Sequence, residues 1–125
     1  MKKAKIFIAI DTNKVSVAKS IISKTKNKKL DIGYKFGLEF FYSRDGRRFI
    51  SKIKKNKIFL DLKLNDIPAT CSKALLSLKD LKNIKYITLH ANAGEETIRA
   101  VVKTAKKINS SLKILSKLSI LFSIS

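Results

Sequence analysis

The sequence has one cysteine, Cys71, one histidine, His90, and no tryptophan. A single cysteine excludes an intrachain disulfide and suits a reducing compartment. One cysteine and one histidine supply too few soft ligands for a structural zinc site. Long apolar runs are also missing: no stretch reaches the roughly 18 residues of a membrane span. The N-terminal MKKAKIFIAI pairs basic residues with an apolar run, but Asp11 ends that run after five residues, too short for a signal-peptide core. The expectation is a soluble cytoplasmic protein with no membrane partner.

Acidic residues are few as well, 9 against 28 lysines and arginines, for a net charge of +19. Such a charge suggests nucleic acid or another anionic surface. Three features weigh against a nucleic-acid partner. The lysines are spread along the whole chain, arginine is scarce although it is the usual choice for phosphate forks and base edges, and the enrichment in Lys, Ile, Asn and Ser is a global bias. A basic surface still attracts an anionic substrate.

What is present is a core and an alternation. The 125 residues are 45% hydrophobic, enough for one domain spanning 1–125. KIFIAI (Lys5–Ile10) is a continuous apolar run, read as a buried parallel strand. Asp11, Thr12 and Asn13 follow as helix-capping residue types, and an amphipathic helix is expected over Lys14–Lys26. LDIGYKFG (Leu30–Gly37) reads as a second strand with Lys35 near its end. A short helical turn, a loop at Arg44–Gly46 and a helix near Arg47–Lys54 come next, with Phe40, Phe41 and Tyr42 read as packing against the sheet. Lys57–Leu62 is the third strand, followed by a helix from Ala69 to about Leu78. IKYITL (Ile84–Leu89) is the fourth, ending at His90, and Glu95–Ile108 shows clear helical spacing. A fifth strand begins at LKIL, from Leu112. Five strands in strict alternation with about four helices predict a parallel α/β sheet.

The stretch richest in chemistry is Ile58–Thr70, IFLDLKLNDIPAT. Asp61 and Lys63 are two residues apart, which on a regular strand puts both side chains on one face. Asp66 follows where the strand should become a loop. Ile67 precedes Pro68, so it is pushed toward an extended conformation, while Pro68 suits the first turn of a helix. Two acids and a base are thus expected to converge at the carboxyl end of a strand, where parallel α/β proteins build their sites. Neighbouring carboxylates favour the charged ammonium, leaving Lys63 ready to donate a proton to something strongly basic. A solvated strand end carrying an ordinary ion pair fits the same charges.

The order of these residues, Asp61, Lys63, Asp66, Ile67, Pro68 and Thr70, forms D-x-K-x-x-D-I-P-x-T, which resembles the motif of the orotidine 5'-phosphate decarboxylases. Sugar-phosphate decarboxylases and hexulose-phosphate synthases share only its D-x-K-x-x-D part. The resemblance implies a (β/α)8, or TIM, barrel that converts orotidine 5'-phosphate to UMP and carbon dioxide without metal or organic cofactor. Lys63, Asp61 and Asp66 would be catalytic: Asp61 crowds the leaving carboxylate, Lys63 protonates the carbon it leaves, and Asp66 completes the charged network. Asp11, at the end of the first strand, would contact the ribose, and Lys35 would join the network. Ile67 and Thr70 would bind substrate. Asp66 and Thr70 would reach the site of a neighbouring subunit, implying a homodimer. His90 would line the floor of the site rather than shuttle protons. The family's later Leu-Thr-Ser has its nearest counterpart in Ser119–Ser123, where Phe122 replaces the threonine and leaves only Ser123 for the pyrimidine.

A complete barrel of this kind usually takes about 250 residues. A 125-residue chain corresponds to its first five strands. The expectation is therefore a partial, C-terminally truncated barrel, without the later loops whose glutamine, arginine and backbone amides grip the phosphate in that family; losing that grip is expected to lower turnover as well as affinity, down to an inactive chain. A metal-dependent sugar-phosphate decarboxylase or aldolase of the same superfamily is the alternative enzyme, and a basic nucleic-acid-binding module the alternative class.

Overall fold

The computed structural model describes residues 3–116. Five parallel strands, β1 (Ala4–Ile10), β2 (Leu30–Gly37), β3 (Ile58–Leu64), β4 (Ile84–Leu89) and β5 (Lys113–Ser116), form one sheet in the order β1-β2-β3-β4-β5. Between them lie α1 (Val15–Lys24), α2 (Leu38–Phe41), α3 (Gly46–Ser51), α4 (Pro68–Leu76) and α5 (Glu95–Ile108), with a single 3-10 turn at Ala91–Ala93. The expected alternation is present. The segment after β2 contributes two short helices rather than a turn and one helix, so the helices number five among the described residues.

Strand order equals chain order throughout. With right-handed crossovers, a sheet that never reverses direction carries its helices on one face, as a barrel does and a doubly wound sheet does not. The helix-bearing face holds the core. Ile10, Phe36, Leu60 and Ile87 from four adjacent strands are at most 1% exposed, and they belong to the same cluster as Ala18, Phe40, Ile50, Leu75, Val101 and Ala105 of the helices. Each large side chain buried this way contributes roughly 1.5–3 kcal/mol. Phe40 and Phe41 are buried as expected, and Phe40 packs on Phe36 and Phe49 with ring centroids 4.8 and 5.9 Å apart. Tyr42 departs from the expectation. It caps the C-terminal end of α2 and lies 71% exposed.

The other face carries a second aromatic layer. Phe7, Phe59 and Tyr86 meet pairwise with centroids 5.6 Å apart. Gly33 lies opposite Phe7 in the β1–β2 register, and a Cβ there would fall 2.5 Å from the Phe7 ring. Only glycine leaves that ring its place. Outside the core, the Arg47 guanidinium grips Asp80 through two hydrogen bonds of 3.1 and 2.8 Å and also donates to the Ser77 carbonyl at 2.9 Å, tying α3 to the turn after α4. No helix among the described residues is long and apolar enough to cross a membrane.

Candidate active site

The carboxyl end of β3 does not continue as a regular strand. Leu60 pairs with Ile87 and Leu64 with Leu89, so four steps along β3 match two along β4. The surplus residues form a bulge, and Lys63 within it takes a positive φ of 49°, the only non-glycine to do so among the described residues. Bulges of this kind re-aim side chains and recur beside active sites. The expectation that Asp61 and Lys63 share a face through plain i, i+2 alternation is therefore corrected: they do meet, but through the bulge. Lys63 Nζ lies 3.3 Å from Asp61 Oδ2.

Asp61 is the centre of the arrangement. It is 5% exposed, and its Oδ2 also lies 3.8 Å from Nζ of Lys35 on β2. Its Oδ1 accepts a 2.7 Å hydrogen bond from the hydroxyl of Thr88 on β4, a side chain with no exposure at all. The same Thr88 oxygen accepts the backbone N–H of Lys63 at 2.9 Å. Three adjacent strands thus converge on one carboxylate. The two ammonium groups pair with Asp61 and stay a third to a half exposed, 32% for Lys35 and 46% for Lys63, so they are open to an incoming group. A buried charge is tolerable when its oxygens are paired and hydrogen-bonded, as they are here.

Asp66 does not join them. The expected cluster of two cations and two anions contains, among the described residues, Lys35, Lys63 and Asp61 only. The cause is the loop after β3. Pro68 opens α4, and Ile67 is held extended at φ −64°, ψ 157°. The Asp66 carbonyl accepts the hydroxyl of Thr97, on α5, at 3.0 Å and the Cys71 thiol at 3.5 Å. Its carboxylate accepts the N–H of Ile67 at 2.7 Å. Asp66, Ile67 and Thr70 are exposed on this loop and the first turn of α4, where residues 65–68 and 92–97 line an open cleft of about 650 Å³. Burial pushes the Cys71 thiol above its ordinary range.

Asp11 follows the last residue of β1 and is exposed. It is not a helix cap. The capping position of α1 is Lys14, whose N–H is taken by the Thr12 hydroxyl at 3.1 Å. His90 follows β4, and its Nδ1 accepts the Asn92 N–H at 3.1 Å, so this nitrogen orders the turn into α5. Gly94 there has φ 91°, a conformation that suits glycine. Ser123 lies outside the described residues. A cavity of about 740 Å³ between the amino ends of β1 and β2 is lined by Lys5, Lys26, Lys28 and Asp31, far from Asp61 along the strands.

With this geometry established, relatives decide the family. A model of the Orotidine 5'-phosphate decarboxylase / HUMPS family matches residues 4–121. The chain belongs to this family. It is 37% identical over 98 residues to the orotidine 5'-phosphate decarboxylase of Carboxydothermus hydrogenoformans, covering 77% of this chain and 39% of that protein. It is 37% identical over 108 residues to the decarboxylase of Campylobacter jejuni strain RM1221, covering 84% and 37%. Among solved structures, the orotidine 5'-phosphate decarboxylase of Lactobacillus acidophilus superposes with a TM-score of 0.80 at 30% identity, covering 91% of this chain and 52% of that one. The Methanocaldococcus jannaschii orotidine 5'-monophosphate decarboxylase, complexed with the inhibitor BMP, gives 0.73 at 31% identity, covering 90% and 51%. The chain thus spans about two fifths of these curated relatives and half of the solved barrels. The five parallel strands are the partial barrel expected for this family.

Proposed function

We propose that this chain acts on orotidine 5'-phosphate as a cofactor-independent decarboxylase, releasing carbon dioxide and UMP. The observation that carries this reading is Asp61 held between Lys35, Lys63 and Thr88 at the carboxyl end of β3. An orotidylate carboxylate brought next to Asp61 meets a fixed like charge, which disfavours the bound ground state. The C6–carboxylate bond breaks, carbon dioxide leaves, and the electron pair remains on C6. The Lys63 ammonium, 3.3 Å from Asp61, donates its proton to that carbon and gives UMP. Lys63 then regains a proton from solvent. Lys35 pairs with the same Asp61 carboxylate oxygen at 3.8 Å. Asp11, at the mouth of the strands, binds the ribose.

Asp66 and Thr70 serve a second subunit's site in a homodimer, which fits their exposure on the loop after β3 and the first turn of α4, and Ile67 binds substrate. The compartment is the cytoplasm.

Release of labelled carbon dioxide from carboxyl-labelled orotidylate, measured with and without excess chelator, tests the reading. Equal release in both conditions is expected. Release that chelation abolishes points instead to a metal-dependent sugar-phosphate enzyme, and no release from the folded chain contradicts the assignment.

A further inference from the structure

We infer that Thr88 is a positioning residue whose hydroxyl sets the Asp61–Lys63 pair in its working geometry. This rests on the decarboxylase reading above and goes beyond it, because Thr88 lies outside the D-x-K-x-x-D motif. A hydroxyl has one proton to give and lone pairs to receive. Here both capacities are committed to the two halves of the pair. The proton goes to Asp61 Oδ1 at 2.7 Å, and the oxygen receives the Lys63 N–H at 2.9 Å. The donation fixes Asp61 as the acceptor, with its Oδ2 turned to the lysines.

The acceptance addresses a separate problem. Lys63 departs from the β3–β4 ladder at the bulge, so its N–H has no strand partner of the ordinary kind. Its φ of 49° is a conformation that a lysine rarely adopts unless its surroundings enforce it. An amide left without an acceptor there carries a desolvation penalty that the Thr88 oxygen removes. Because Thr88 is fully buried, no water substitutes for it in place. Loss of the hydroxyl therefore loosens the backbone of the proton donor and the rotamer of the carboxylate together. Thr88 is fully buried and its hydroxyl bonds Asp61 Oδ1 and the Lys63 N–H, so it acts through these two residues.

The test compares Thr88→Val, which keeps the shape and removes the hydroxyl, with Thr88→Ser, which keeps the hydroxyl. Amide hydrogen exchange is read by NMR at Lys63, with His90, whose N–H bonds Leu64 at 2.8 Å, as the internal reference. Orotidylate kcat and KM are measured alongside. In the valine variant the Lys63 amide is expected to exchange about tenfold faster while His90 is unchanged, and kcat to fall about tenfold with KM little altered. Serine restores both. Parent-like exchange at Lys63 in the valine variant overturns the inference, as does a serine variant as impaired as valine. Should the parent show no turnover, the proposed reaction fails and the exchange data alone decide the role of Thr88. If the valine variant does not fold, the parent decides: an unprotected Lys63 amide overturns the inference, and a protected one that serine preserves supports it.

Discussion

Lys63 reaches Asp61, at 3.3 Å, from a backbone that β-strands do not use. Its φ of 49° belongs to the left-handed region, where a Cβ crowds the neighbouring carbonyl at about 1–2 kcal/mol for an ordinary residue. The bulge that places Lys63 is thus held against a local cost.

That cost is measurable by comparing Lys63→Gly with Lys63→Ala. Both remove the ammonium, and they differ only in the Cβ. At an ordinary strand position alanine would be the better choice, since glycine leaves the unfolded chain more freedom. Here the order reverses, and the glycine variant is expected to be more stable by about 1 kcal/mol in urea titration. An alanine variant equal to or above glycine contradicts the left-handed backbone.

The aromatic layer gives a packing prediction. A Cβ at Gly33 would lie 2.5 Å from the Phe7 ring and 2.7 Å from the Lys57 carbonyl oxygen, and the second of these is backbone that cannot swing aside. Gly33→Ala is expected to lower stability by about 1–3 kcal/mol, the usual range for overpacking, read as a shift in the urea midpoint. A neutral substitution would mean that Phe7 does not lie over this position.

Asp80 gives a pH-dependent one. The hydrogen bonds from Arg47 hold its carboxyl below the ordinary 3.8, and the same contact raises the guanidinium further above its own range. A carboxyl depressed in the folded state adds stability above the unfolded value and loses it as pH falls through the folded value. Both partners are well exposed, so the pair contributes at most about 1 kcal/mol, screened by salt. Asp80→Asn is expected to cost up to that amount at pH 7, with the gap closing as the pH drops below 3.8. Denaturation curves at the two pH values read it directly, and a gap independent of pH contradicts the pairing.

Much of this was legible in the chain itself, for a definite reason. Apolar runs rich in isoleucine mark strands, so KIFIAI and IKYITL marked β1 and β4 directly, although β1 is buried only at Ile10 and not along its length as expected; the 3.6 spacing of Ile98, Val101, Val102 and Ala105 marked α5. The site was legible as a set of residues but not as a geometry. Regular alternation paired Asp61 with Lys63 and also drew Asp66 toward them. The bulge and the Thr97 hydroxyl on the Asp66 carbonyl are interactions between distant segments, which spacing within one segment does not contain. Thr88 went unnoticed because a threonine in IKYITL reads as an ordinary β-former. Its signal was a polar residue placed directly before the buried end of a strand, a position that asks for a partner. Asp11 was read in part as a helix cap because its residue type suits one, while the chain places the cap at Lys14.

The most direct test of the whole account is orotidylate turnover by this chain beside Lys63→Ala. The ammonium 3.3 Å from Asp61 is cast as the proton donor, and nothing else in the proposed step replaces it. The account predicts measurable UMP formation by the parent and none above background in a folded Lys63→Ala variant. Equal turnover in the two would contradict it.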